Sequence, residues 1–145
     1  KRRFLAALRR TFKEIPRRYR IVCGDLNILE PDHVPRYPVF QDWEYDFYRL
    51  LPEYRLRDAF RQCYPHAREY SWVGRTGNGY RYDHFFVSGD LLPALVDCRY
   101  VHEPRLDGLS DHSALVALFS RSEVERIVAR IGTSQGCLRV DAREL

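Results

Sequence analysis

Short apolar runs that stop abruptly at a glycine, a serine or an acid constrain this chain more than any other feature. Residues 19–23 run into Gly24-Asp25-Leu26-Asn27, residues 114–119 follow Ser110-Asp111-His112, and the aromatic stretch 80–88 lies between them. Runs of this length and character, bounded by turn-forming residues, predict strands. Other segments keep a helical period. Phe4, Leu5, Leu8, Phe12 and Ile15 share one face opposite Arg and Lys, with Pro16 as the stop. Residues 40–51 form a second such segment, closed by Pro52, and residues 122–131 a third, with Ser122 as N-cap. Helices alternating with strands predict an α/β (α+β) fold with a layered sheet.

Between these elements the punctuation is clear. Pro31, Pro35 and Pro38 make a loop. Residues 69–73 and 80–88 read as a hairpin closed around Gly77-Asn78-Gly79. Leu56 to Phe60 marks the edge of another element, and residues 91–98, broken by Pro93, lead into a short strand at 99–102. Residues 1–120 are expected to form one folded unit, with a C-terminal helix and tail over 121–145.

At 145 residues the chain is one domain or a piece of one. No apolar stretch approaches the ~20 residues needed to cross a bilayer, and no apolar signal segment follows the charged start. The four cysteines are widely spaced and include no C-x-x-C pair, which argues against a zinc site. Reduced thiols in a cytoplasm are the expectation. The chain has no Met and starts at Lys1, so it is expected to start inside a longer product or after processing. Net charge is +4, carried almost wholly by Arg, whose guanidinium suits a phosphate-bearing partner; GC-rich coding would give the same bias.

Three carboxylates, one carboxamide and one histidine sit at strand ends: Asp25, Asn27, Asp83, Asp111 and His112. Asp25 can serve as a base or metal ligand while Asn27 donates to a phosphate oxygen; the same pair would also close a strand as an Asx-turn. Asp83 lies among aromatic residues, where an acid needs a cation, and His112 is the candidate partner. An edge position facing solvent is the alternative. Around the hairpin, Trp72, Arg75, Asn78, Tyr80 and Arg81 interleave aromatics with Arg, as a nucleic-acid surface does, although cross-strand packing would use the same aromatics. His33, His66, His84 and His102 show no ligand spacing and are expected to be structural or exposed.

Taken in order, Gly24-Asp25-Leu26-Asn27, Tyr70-Ser71-Trp72, Tyr80-Arg81-Tyr82-Asp83-His84-Phe85-Phe86-Val87-Ser88 and Leu109-Ser110-Asp111-His112-Ser113 resemble the endonuclease/exonuclease/phosphatase superfamily. More narrowly, they resemble the C-terminal half of an exonuclease III-type DNA-repair nuclease. The resemblance implies a four-layer α/β/β/α sandwich of two mixed sheets. It implies metal-dependent hydrolysis of DNA phosphodiesters, as an AP endonuclease or 3′-exonuclease of base-excision repair. Asp25, Asn27, Asp83, Asp111 and His112 would be catalytic. Asp25, Asn27 and Asp111 would contribute to binding Mg2+ or Mn2+. Trp72, Arg75, Asn78, Tyr80 and Arg81 would contact duplex DNA with abasic or 3′-damaged sites.

The resemblance also implies a missing N-terminal half, supplied upstream or by a second chain, which would carry the principal metal carboxylate and cover an exposed apolar sheet face. Two further functions stay open. One is a phosphatase of the same superfamily acting on a lipid or small phosphoester. The other is a non-catalytic half-domain that needs a partner chain.

Overall fold

A computed structural model describes residues 1–134. The helical face read from the sequence is largely the buried face of α1 (Arg2–Glu14): Leu5 and Phe12 are buried and Leu8 packs beside them. Phe4 and Ile15, expected on that face, are exposed. β1 (Ile21–Asp25) starts two residues later than expected. Tyr19 has a left-handed backbone (φ 55), and the Arg20 N–H donates to Ser88 Oγ at 3.0 Å. α2 (Asp42–Leu50) begins at a capping box between Gln41 and Glu44, and Pro52 sits within a following 3-10 turn (Leu51–Tyr54).

β2 (Leu56–Asp58) leads straight into α3 (Ala59–Cys63), whose first turn is capped by Asp58 accepting from the Arg61 N–H at 3.1 Å. β3 (Trp72–Val73) and β4 (Gly79–Tyr80) form the expected hairpin, pairing Trp72 with Tyr80. The expected strand over 80–88 is in fact interrupted, and β5 (Asp83–Ser88) is separate from β4. A 3-10 turn (Leu92–Ala94) precedes β6 (Leu95–Val101). A short α4 (Glu103–Leu106) then leads to β7 (Ala114–Phe119). α5 (Arg121–Ser134) is capped by Ser120, not Ser122: the Glu123 N–H reaches Ser120 Oγ and the Val124 N–H donates to the Ser120 carbonyl at 3.0 Å. The expected tail beyond 134 lies outside the described residues.

β5 is the central strand of a β1-β5-β2 sheet, antiparallel on both sides. Successive side chains of a strand point to opposite faces. Phe86 therefore enters one apolar cluster with Leu5, Phe12, Ile28, Phe47, Leu51 and Leu56, against the helices. Val87 enters the other with Ala59, Phe60, Cys98 and Tyr100, against β6 and β7, and Phe85 packs beside it. Fully burying a Leu, Ile or Phe side chain contributes about 1.5–3 kcal/mol, so these two clusters fix β5 from both faces. All paired strands among the described residues are antiparallel.

The pleat also decides what stays outside. Leu115, Ala117 and Phe119 of β7 pack inward, while Ala114, Val116 and Leu118 are exposed. On β1, Ile21 and Cys23 are exposed as well. No described helix is long and apolar enough to cross a membrane.

Candidate active site

The register of the central sheet places Asp25, the last residue of β1, directly opposite Asp83, the first of β5. Both acids therefore stand at the same end of one strand pair. Asp83 is held from two sides through its own peptide. Its N–H donates to Ser71 Oγ at 3.1 Å, and its carbonyl accepts from the Tyr100 hydroxyl at 2.6 Å. Ser71, wholly buried, also accepts the Tyr82 N–H at 3.0 Å. A side-chain hydroxyl thus takes the backbone donors that a strand neighbour would otherwise take, and this is why the ladder breaks before Asp83.

His112 arrives on a separate segment. Its backbone pairs with Trp72 in an isolated antiparallel bridge, and the adjacent Ser113 N–H donates to the Ser71 carbonyl at 2.7 Å. Asp83 Oδ2 then lies 2.7 Å from His112 Nδ1. A carboxylate at that distance accepts from Nδ1–H, which leaves Nε2 as the ring atom facing outward. Both side chains are partly exposed, His112 at 26% and Asp83 at 18%, so the pair is accessible.

Asp25 and Asn27 are joined by a turn and not by a shared extended strand. Asn27 has φ 52, its N–H donates to Asp25 Oδ1 at 2.7 Å, and its Nδ2 donates to Asp25 Oδ2 at 2.9 Å. The Asx-turn is therefore present, and both residues are nonetheless exposed beside Asp83. The carboxamide keeps a second N–H for an incoming acceptor. Asp111 is exposed in the turn that delivers His112.

A further layer, not anticipated from the sequence, supports the segment carrying His112. His102 bridges Glu69 Oε2 (2.9 Å) and Ser113 Oγ (2.8 Å), and Arg105 Nε donates to the same Ser113 Oγ at 3.0 Å. The only sequence hint was a histidine and a serine at the ends of apolar strands.

The proposed DNA contacts separate into three kinds. Arg75 and Asn78 lie exposed at the hairpin turn. Trp72 and Tyr80 are half-buried in an aromatic stack: Tyr80 lies 4.3 Å from Tyr37, 5.1 Å from Tyr82 and 5.4 Å from Trp72, between ring centroids. The Tyr82 hydroxyl is pushed up to about 12 by burial, by Tyr80 and by Asp25. Arg81 is corrected outright: its side chain is wholly buried and paired with Glu30 and Asp58, so it cannot reach a phosphate.

Among the described residues, no group of three or more His, Cys, Asp or Glu could hold a metal ion. Both Asp25 oxygens accept from Asn27, and Asp111 lies exposed in its own turn. These residues alone do not form a complete cation shell.

The mixed α/β fold, with its carboxylate–histidine pair opposite an Asp–Asn turn, is similar to the endonuclease/exonuclease/phosphatase fold of solved nucleases. Within it, the structural neighbours are exonuclease III-like nucleases and AP endonucleases. A 3′ phosphatase, NExo, from Neisseria, bound to product DNA hairpin, is 28% identical with TM-score 0.70, covering 82% of this chain and 52% of that one. The 3′-5′ exonuclease NExo from Neisseria meningitidis is 29% identical with TM-score 0.69, covering 83% and 53%. An AP endonuclease from Archaeoglobus fulgidus is 27% identical with TM-score 0.69, covering 79% and 52%. This chain spans about half the length of each. No protein-family model matches it.

Proposed function

We propose that this chain provides the histidine-bearing half of a DNA phosphoester hydrolase of the exonuclease III type. The observation that carries the reading is the 2.7 Å Asp83–His112 pair standing across a strand register from Asp25. Hydrolysis of a phosphodiester needs a positioned water and neutralisation of charge developing on the phosphoryl oxygens. Asp25, its oxygens oriented by Asn27, holds the water. The free N–H of Asn27 and His112 Nε2–H donate to the phosphoryl oxygens. Asp83 fixes the ring through Nδ1–H, and Nε2 donates when the imidazole is doubly protonated.

The proposed cofactor is Mg2+ or Mn2+, which would polarise the phosphate when bound. Asp25, Asn27 and Asp111 would give part of an oxygen shell, and the carboxylate completing it would come from outside this set. A partner segment or chain supplying that carboxylate would also cover the outward apolar rows of β1 and β7. The proposed substrate is duplex DNA with an abasic site or a damaged 3′ end, contacted by Arg75, Asn78, Trp72 and Tyr80. A 3′-phosphate on DNA is a second candidate, favoured because one of the similar structures is a 3′ phosphatase with a DNA hairpin product.

The test is incision of a duplex with one abasic site, beside release of phosphate from a 3′-phosphorylated hairpin, each in Mg2+ and in EDTA. Metal-dependent product absent from Asp25→Asn supports the reading for this chain. Phosphate release without strand cleavage selects the second substrate. Complete inactivity, persisting when the chain is extended upstream, overturns the reading.

A further inference from the structure

The loop that presents Asn27 is anchored at alternate residues. The Leu26 N–H donates to the Tyr82 carbonyl at 3.1 Å. The Ile28 carbonyl lies 3.1 Å from His84 Nε2. The Glu30 carboxylate lies within 3.0 Å of both Nε and Nη2 of Arg81. Leu26, Ile28 and Glu30 are buried, whereas Asn27 between the first two is exposed. All three anchors end on residues 81–84, the segment that also carries Asp83.

Arg81 ties this arrangement to the rest of the molecule. Its Nη2 also donates to Asp58 Oδ2 at 2.7 Å and to the Tyr48 hydroxyl at 3.2 Å, and Tyr48 itself donates to Asp58 Oδ2 at 2.7 Å. A second guanidinium, Arg61, grips the same Glu30 carboxylate through Nε at 2.6 Å and Nη2 at 2.5 Å. Two anions and two cations thus form a neutral set, with Glu30, Asp58 and Arg81 buried and Arg61 partly exposed at its edge. Buried ion pairs are poor evidence for stability, because apolar residues of like volume often serve as well. What a planar guanidinium adds is direction: it fixes its acceptors in angle as well as distance.

We propose that Arg81, acting through Glu30 and Asp58, is a positioning residue that sets the Asp25–Asn27 turn against the Asp83–His112 pair. This rests on the phosphoester-hydrolase reading for its catalytic consequence, although the geometric claim does not. Arg81 stands two residues before Asp83, and Glu30 three after Asn27. The clamp therefore spans both halves of the site without touching substrate. Lys keeps the charge but lacks the planar set of donors, so charge alone will not restore the arrangement.

The experiment compares wild type with Arg81→Lys, Glu30→Gln and Arg49→Lys. The last is a control in an exposed pair away from the site. Single-turnover rate, DNA Kd and the amide and carboxamide NMR signals of Asn27 and Asp83 are measured. Arg81→Lys and Glu30→Gln should each react about 10²-fold more slowly with Kd within a few-fold, since misplacement of reacting groups by an ångström has that effect. Their Asn27 and Asp83 signals should shift, and those of Arg49→Lys should not. A wild-type rate with unmoved signals overturns the proposal, and so does a raised Kd at unchanged rate. If Arg81→Lys does not fold, Glu30→Gln decides by the same criteria. If wild type shows no turnover even when extended upstream, the hydrolase reading fails separately, and the NMR shifts alone decide the clamp.

Discussion

His112 Nδ1 and Asp83 Oδ2 meet at 2.7 Å although 29 residues separate them in the chain. The contact needs two independent placements: β5 must begin at Asp83, and the 110–113 segment must bridge to β3. Both placements converge on Ser71, which receives the Asp83 N–H on its hydroxyl and the Ser113 N–H on its carbonyl.

His112→Ala should reduce turnover by about 10²–10³-fold with DNA affinity nearly unchanged, as expected when a donor to the transition state is removed. Single-turnover cleavage and a binding titration on the same DNA check this. A mutant that turns over normally would remove His112 from the mechanism.

Ser71→Ala leaves two backbone donors, those of Tyr82 and Asp83, without their acceptor. A buried unsatisfied group costs about 1–3 kcal/mol, so urea unfolding should show a loss of roughly 2 kcal/mol or more. A loss under about 0.5 kcal/mol would mean that other acceptors replace the hydroxyl.

Acid should destabilise the fold through Glu30 and Asp58. Burial pushes both carboxyls up, but Arg61 and Arg81 at Glu30, and Arg81 with the nearby His84 at Asp58, outweigh it and hold both below the ordinary range. A depressed carboxyl means that the unfolded chain binds protons first. The stabilisation is therefore complete above about pH 5 and is lost as pH falls below roughly 4. Urea midpoints between pH 7 and pH 3 should follow that curve, and Glu30→Gln should flatten its acid side. An equally steep fall in the variant would place the effect elsewhere.

A Cβ at Gly79 would lie 2.2 Å from the Tyr70 ring. Gly79→Ala should therefore displace Tyr70, break its hydroxyl bond to the Val34 carbonyl and loosen the hairpin, at a cost of about 1–3 kcal/mol. A thermal melt within one degree of wild type would show that the ring moves freely.

Arg75→Ala should weaken DNA binding and lower the salt slope by about one, the signature of one lost phosphate contact. The same slope in the variant would mean that Arg75 points away from bound DNA.

Much of this was legible in the residues. The helix at the start, the final strand, the hairpin and the Asp83–His112 pairing follow from periodicity, turn chemistry and the need of a buried acid for a cation. The interruption between β4 and β5 was not, because the competing acceptor is one serine hydroxyl that local pattern does not reveal. Arg81 was misplaced for a related reason. An Arg between two tyrosines reads as surface, and its true partners, Glu30 and Asp58, lie 51 and 23 residues away. The acids themselves were the available signal: Glu30 follows Ile28 and Leu29, and Asp58 precedes Ala59 and Phe60.

Glu30, Asp58, Arg61 and Arg81 sum to zero, so the excess of +4 belongs entirely to the remainder of the chain. Counter-ions in the buffer can dress the outer arginines but not a guanidinium sealed among its own carboxylates. Ionic strength therefore acts unequally on two populations of the same residue type. Salt should strip the protein from a polyanion long before it disturbs the alignment of the residues that would act on it.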